Sequence, residues 1–327
     1  MEEAELACHL TLAACAARTI AESVGWEEQR VFTMLKTMTK KGLIEAEKGE
    51  KNLCFKLIPF VVGFYERQNG RIDADFAQLF EAYYHEGFHL MMDLKPSVHR
   101  VVPIEKSIPV NIEVMPYERA SVYIERARSW GVLPCICRVQ RRLIGKACRH
   151  TEENCLVFSQ KPNAFKQTET IRELSKEEAL EILANAGKEG LVHSTANVQN
   201  GVTYICNCCT CSCTIMRGIA EYGHLNALGR SDFTIAIDSS LCSGCSLCIE
   251  RCPFNALQLQ EKDGLCHVDP LHCYGCGLCV SVCSSGALSL MAKSPDQCEP
   301  LARNESEWRD QRVAAMPHQA FGWAKKE

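Results

Sequence analysis

Cys242-Ser243-Gly244-Cys245-Ser246-Leu247-Cys248-Ile249-Glu250-Arg251-Cys252-Pro253 reads Cys-x2-Cys-x2-Cys-x3-Cys-Pro. Cys273-Tyr274-Gly275-Cys276-Gly277-Leu278-Cys279-Val280-Ser281-Val282-Cys283 repeats the spacing. Three thiolates so spaced lie on one tight loop and can hold three irons of a cubane, while the fourth points at a different cluster. By this rule Cys242, Cys245, Cys248 and Cys283 hold one [4Fe-4S] cluster, and Cys273, Cys276, Cys279 and Cys252 hold its neighbour. Zinc modules pair Cys-x2-Cys units across a longer gap. Vicinal triads cannot all pair locally as disulfides. The tandem repeat points away from both.

Residues 233–292 resemble the bacterial two-cluster ferredoxins. The resemblance implies a small pseudo-symmetric α+β fold with electron transfer as its task. Pro253 follows Cys252 as that family expects, whereas Ser284 follows Cys283 where a second proline would stand.

A chain of 327 residues predicts two or three domains. The formal net charge of −4 gives no bulk attraction for nucleic acid or membrane. The start, Met1-Glu2-Glu3-Ala4-Glu5, lacks the basic segment of a secretory signal. The best apolar run, Leu57 to Phe64, is far short of the roughly 20 residues that span a bilayer. With 22 cysteines, a reducing cytoplasm is expected, with the thiols as metal ligands and an anaerobe as the source.

The expected layout is α+β and multidomain: a winged-helix-like unit over 1–62, a helical connector over 63–105, a Cys-rich α/β middle domain over 106–232, the ferredoxin domain over 233–293 and a tail over 294–327. In the first unit Thr19-Ile20-Ala21-Glu22 fits a capping box opening a short helix, and Gly25 breaks it. A second helix runs from about Glu27 to Lys41 with Val31, Leu35 and Met38 on one face, and Gly42 stops it. Leu43-Ile44 starts a strand that turns at Lys48-Gly49-Glu50 and returns with Leu53, Phe55 and Leu57 alternating. Glu27 and Glu28 at the head of the second helix would repel phosphate, so protein docking or a structural role is favoured over DNA binding. Phe76, Leu79, Phe80, Tyr83 and Tyr84 recur at helical spacing and read as a packing face.

In the middle domain Val110, Ile112 and Val114 alternate as a strand, and Pro116 starts a helix that Gly131 ends, with Ala120, Tyr123, Ile124 and Ala127 as its stripe. Ser175-Lys176-Glu177-Glu178 forms a second capping box, with Leu174 and Ala179 as its staple. Arg303 to Val313 reads as a helix, with Phe321 and Trp323 as tail anchors.

Nine further cysteines lie in the middle domain. Cys135, Cys137, Cys148 and Cys155 form one group; Cys206, Cys208, Cys209, Cys211 and Cys213 form the other. Five cysteines in eight residues would repel as thiolates and oxidise as thiols unless metal held them. The simplest count is two more [4Fe-4S] clusters, one on each group, with one cysteine to spare. A single cluster with free thiols, a fused cluster bridged by Cys208-Cys209, a zinc-containing arrangement and ligand sets interleaved across the groups all stay open. Arg138, Arg141, Arg142, Lys146 and Arg149 flank the first group, and cations there would raise the potential of an anionic cluster. His150 and His193 are further candidate ligands.

Pro134-Cys135-Ile136-Cys137-Arg138, Cys206-Asn207-Cys208-Cys209 and the two C-terminal repeats together resemble multidomain [4Fe-4S] dicluster proteins of anaerobes. That resemblance supports the architecture and not a reaction. No Gly-rich phosphate loop is present, and Tyr274-Gly275-Cys276-Gly277 belongs to a cluster loop. The expected function is therefore low-potential electron relay to redox partners or within a larger oxidoreductase, as a subunit more than as a stand-alone enzyme. The alternatives are a reductase whose middle cluster binds substrate and a redox-sensing winged-helix regulator.

Overall fold

The computed structural model describes residues 2–49, 52–104, 107–108, 118–166, 168 and 170–315. The expected strand at Val110, Ile112 and Val114, the helix start at Pro116 and the anchors Phe321 and Trp323 lie outside these residues. The chain divides into two compact units, Met1–Ile72 and Asp73–Glu327.

The first unit runs α1 (Glu2–Ala7), β1 (Cys15–Ala16), α2 (Ala17–Val24), α3 (Glu28–Lys40), β2 (Glu45–Lys48), β3 (Leu53–Lys56) and a helical turn, α4 (Tyr65–Arg67). Its small sheet has the order β1-β3-β2. Val31, Leu35 and Met38 of α3 are buried against Ile20, Ile44 and Phe55. Gly25 ends α2 in the left-handed region, as its position implied. The capping box at Thr19 does not form. Helix α2 begins two residues earlier, at Ala17, and Glu22 pairs with Arg18 at 3.0 Å one turn back. Leu43 and Ile44 precede the strand, and Leu53 is exposed while Phe55 carries the core contact.

The second unit opens with α5 (Ala74–Tyr83), which passes through a π-helical turn at Tyr84–Phe88 into α6 (His89–Met92). Ala77, Phe80, Tyr84 and Phe88 face inward, whereas Leu79 and Tyr83 are exposed. The expected aromatic packing face is thus present with a different membership.

Next come β4 (His99–Val101), α7 (Ala120–Arg126), β5 (Ser129–Pro134), α8 (Ile136–Leu143), β6 (Glu153–Ser159), β7 (Arg172–Leu174), α9 (Lys176–Glu189), β8 (Val192–Ala196), β9 (Tyr204–Cys208), α10 (Thr214–Tyr222) and β10 (Leu228–Gly229). Seven strands align in the order β10-β4-β8-β9-β6-β5-β7. Only the β10–β4 pair is parallel. Ile124 of α7 and Ala179 and Leu183 of α9 share a core with Val132, Leu156, Phe158 and Ile205 of the sheet. The box at Ser175 forms in full, with Ser175 Oγ accepting from Glu178 N at 3.1 Å and Ser175 N donating to the Glu178 carboxylate at 2.7 Å. Gly131 does not end a helix. It sits within β5, where a Cβ would lie 2.4 Å from Ile171 Cγ2.

The C-terminal part comprises β11 (Phe233–Ile237), α11 (Leu247–Arg251), β12 (Leu257–Leu259), β13 (Cys266–Val268), β14 (Leu288–Ala292) and α12 (Glu305–Ala314). Two antiparallel ribbons, β11–β14 and β12–β13, close over the cysteine loops. Asn304 caps α12, and Arg312 of that helix is buried with Nη1 on the carbonyls of Leu94 and Pro96, both at 2.7 Å.

Candidate metal centres

The two C-terminal loops build two cavities. One is lined by Cys242, Cys245, Cys248 and Cys283, and the other by Cys273, Cys276, Cys279 and Cys252. In each, three cysteines come from one loop and the fourth from the other repeat. The loops turn by left-handed residues: Gly244 and Ser246 in the first, Gly275 and Gly277 in the second. Gly275 has no room for a side chain, because a Cβ would meet Phe233 O at 2.2 Å. Burial pushes the Cys276 thiol up to about 12, so a bound cation is needed to hold it as thiolate. Cys266, to which the spacing rule gives no role, is buried on β13 with its sulfur 3.5 Å from that of Cys248.

The middle cysteines sort by strand register and not by sequence order. Cys206 and Cys208 project to one side of β9 because side chains alternate along a strand. The register Leu156↔Ile205 brings Cys155 of β6 opposite Cys206. Cys135 caps the N-terminus of α8, Cys137 lies in its first turn, and Cys213 caps the N-terminus of α10. The result is a closed ring in the order Cys135, Cys137, Cys213, Cys208, Cys206, Cys155, each thiol coupled to the next in its titration.

The six thiols form one coupled set, so a proton held by one lowers its neighbours. The neighbouring Cys135 thiol lowers Cys137 and Cys155, and the neighbouring Cys206 and Cys213 thiols lower Cys208 to about 6. Their neighbours Cys135, Cys206 and Cys213 are correspondingly raised. Two helix N-termini and Thr214, whose hydroxyl lies 3.6 Å from Cys137 Sγ, favour negative charge here. Ser194 Oγ stands 3.6 Å from Cys208 Sγ.

The other three middle cysteines leave this ring. Cys148, Cys209 and Cys211 gather with His150, their donor atoms all within 4.8 Å of one another. Cys148 thus lies apart from Cys135, Cys137 and Cys155, with which sequence order had grouped it. The 206–213 run is divided between the two sites. Adjacent Cys208 and Cys209 fall in different groups. His150 joins the second group, whereas His193 is a core residue that bonds Asn207 Oδ1 at 2.6 Å and is held near 4 by burial.

Of the flanking cations, only Arg138 is fully buried. It reaches Thr151 O at 3.0 Å, Asn154 Oδ1 at 2.7 Å, Asn207 O at 2.9 Å and Cys209 Sγ at 3.6 Å. Arg141 and Lys146 turn to Glu81, and Arg142 to Glu152. A further buried cation lies far in sequence from the first group, where no local pattern marks it: Arg217 of α10 sits between Glu81 and Glu221, its guanidinium 4.4 Å from the Tyr84 ring centroid.

A cavity of about 580 Å³ lies between α9, β8 and the ferredoxin loops, lined by Leu183, Lys188, His193, Arg251 and Val282 among others. Arg251 Nη2 donates to Gly187 O and Lys188 O at 2.6 and 2.7 Å along its rim.

No helix of the described residues is long and apolar enough to cross a membrane. No curated protein matches the chain. Residues 241–287 match the family described as the 4Fe-4S dicluster domain, and this C-terminal region is ferredoxin-like.

Proposed function

We propose that the protein is a cytoplasmic, multi-cluster iron–sulfur electron carrier that relays low-potential electrons to or within a larger oxidoreductase of an anaerobe. The observation that carries the reading is the exchange of fourth cysteines, with Cys283 lining the first loop's cavity and Cys252 the second's. In this reading Cys242, Cys245, Cys248 and Cys283 hold one [4Fe-4S] cluster and Cys273, Cys276, Cys279 and Cys252 the other. When bound, such clusters take up and give back single electrons at potentials set by their surroundings. The chain's own residues bury the thiolates, shape the loops and keep the two sites adjacent.

The six-thiol ring offers more ligands than the four a cubane needs, and we assign it to a further iron–sulfur centre. We place that centre on Cys135, Cys137, Cys155, Cys206, Cys208 and Cys213, a ligand set interleaved across the two sequence groups. Ile104 N, three residues beyond β4 of the seven-stranded sheet, donates to Cys276 O at 3.0 Å and so joins the second ferredoxin loop to the segment that follows that strand.

The first unit is best read as a winged-helix module for protein docking, spanning the helices and hairpin of residues 1–62. Two cations at the ends of α3 are engaged, Arg30 on Glu2 at 2.7 Å and Lys41 on Glu3 at 2.8 Å. Glu27 caps α3 by accepting from Gln29 N and Arg30 N. That leaves few cations for phosphate, which disfavours the regulator reading.

A second reading rests on the cavity by Arg251 and Lys188, whose volume falls within the range of small-molecule sites. It would make the chain a reductase. Anaerobically purified protein given dithionite or viologen separates the two. The carrier reading expects about twelve or more irons per chain, reversible redox signals and no small-molecule turnover. Steady turnover by the purified chain would replace it with the reductase.

A further inference from the structure

We infer that Cys148, His150, Cys209 and Cys211 form a mononuclear tetrahedral zinc site, separate from every iron–sulfur centre. The argument begins with size. Zinc bonds of about 2.3 Å to sulfur and about 2.0–2.1 Å to nitrogen put tetrahedral ligand atoms roughly 3.6–3.8 Å apart. Cys211 Sγ and His150 Nδ1 are 3.7 Å apart, and all four donor atoms lie within 4.8 Å of one another. Among the described residues no other three or more potential ligands are so compact. The eight ferredoxin cysteines, spaced for a cubane, do not meet that limit, nor do the six of the ring. The geometry therefore selects one ion and not a cluster.

Donor chemistry agrees. Three thiolates and an imidazole are a common structural zinc set, and all four coordination positions are filled by protein. Zinc with three thiolates carries one net negative charge, and the buried Arg138 guanidinium, 3.6 Å from Cys209 Sγ, balances it. Cys209 and Cys148 are packed with Ala186 and Leu191, which shields that side of the site from water.

The chain also builds the site deliberately from two loops. Cys148-x-His150 lies between α8 and β6, and Thr151 beside it is held by the Glu189 carboxylate through N at 3.1 Å and Oγ1 at 2.6 Å. Cys209-x-Cys211 lies in a tight turn closed by Cys213 N to Cys209 O at 3.1 Å. That turn joins Cys208 to Cys213, both members of the ring. An ion here ties the turn to the first loop and so fixes where two ring thiols stand. Its role is structural, because no position is left for substrate and zinc does not change redox state.

The test measures iron and zinc in the same anaerobic preparation of the full chain, grown with both metals. About one zinc per chain is expected. Cys211→Ala, at an exposed position, should lose that zinc and keep its iron. Zinc-edge X-ray absorption of the unaltered protein needs no variant, and should give three sulfurs near 2.3 Å and one nitrogen near 2.0–2.1 Å. Wild-type protein with no zinc, a four-sulfur shell, a single high-spin iron at the site, or loss of a cluster's worth of iron in Cys211→Ala would each overturn the assignment.

Discussion

Arg138 Nη2 lies 3.6 Å from Cys209 Sγ and 2.9 Å from the carbonyl of Asn207, so one buried guanidinium faces both middle-domain sites. Its neighbours include the charges of Cys135 and Cys208, which belong to the ring. A positive charge beside a reducible centre favours the reduced state. Arg138→Met should therefore move the ring centre to a more negative potential. It should also destabilise the fold by about 1–3 kcal/mol for each buried acceptor left without a donor. Arg138→Lys keeps the charge and should recover most of the potential, but not the forked hydrogen bonding. An anaerobic redox titration followed by electron paramagnetic resonance checks this. An unchanged potential in a folded Met variant would remove Arg138 from any tuning role.

Glu81 of α5 accepts from Arg217 of α10 at 2.9 and 3.0 Å and from Arg141 of α8 at 2.5 Å, tying together three helices around the ring. Burial raises its pKa, but the Arg217 hydrogen bonds and the charges of Arg217 and Arg141 outweigh this and hold it at about 2. The sign follows from linkage. A carboxyl depressed by folding stabilises above its unfolded value, here 4.5, and that stability is lost as pH falls toward 2. Glu81→Gln should lower stability at neutral pH by about 3 kcal/mol, since removing one partner leaves Arg217 buried with less compensation. It should also flatten the acid limb of the stability profile between those two pH values. Anaerobic denaturant melts at stepped pH give both quantities, and a parallel offset with no change of slope would show that Glu81 is not the titrating group.

Gly277 and Ser246 occupy matching places in the two cysteine loops, and both are left-handed, at φ of 75° and 65°. Gly277 is also confined, because a Cβ would lie 2.8 Å from Ser107 Cβ and 3.0 Å from Leu290 Cδ1. Gly277→Ala should thus cost more than the roughly 1 kcal/mol of left-handed strain alone. Its cluster should be lost faster in air. Ser246→Gly removes strain in the first loop and should be neutral or mildly stabilising. Bleaching of the visible absorption, timed for each variant against wild type, gives the order; equal rates for both would sink the argument.

Local rules carried much of the architecture and little of the middle-domain partition. The Ser175 box was legible because both of its hydrogen bonds run between residues three apart. Thr19 carries the same signature, but α2 has already begun at Ala17, and the pattern holds no record of what precedes it. Gly131 reads as a helix stop in the sequence because its reason for being glycine is Ile171, forty residues away. The cysteines follow the same logic. Within a ferredoxin loop three ligands are local, so spacing suffices. The ring is assembled by pairing of β6 with β9 and by the N-termini of α8 and α10, and such pairings are long-range. Cys208 and Cys209, adjacent in sequence, part because a strand ends between them.

Cys266 is the thiol that the repeat does not account for. Burial and the nearby Cys248 sulfur push it up to about 12, and the two sulfurs lie 3.5 Å apart, so with Cys248 held as a thiolate ligand Cys266 is the partner that can donate. A hydrogen bond to a ligating sulfur withdraws charge from it and raises the potential of the centre it serves. Cys266→Ala should therefore lower the potential of the cluster on the first loop and leave the second unchanged. The lost sulfur also opens a small cavity beside Leu257 and Leu288, which should cost about 1 kcal/mol. Cys266→Ser offers a shorter and harder donor and should fall between the two. Resolving the two ferredoxin signals in a potentiometric titration decides the matter. A common shift of both clusters would mean that the variant disturbs the domain as a whole, and no shift would mean that the Cys266 proton points away from Cys248.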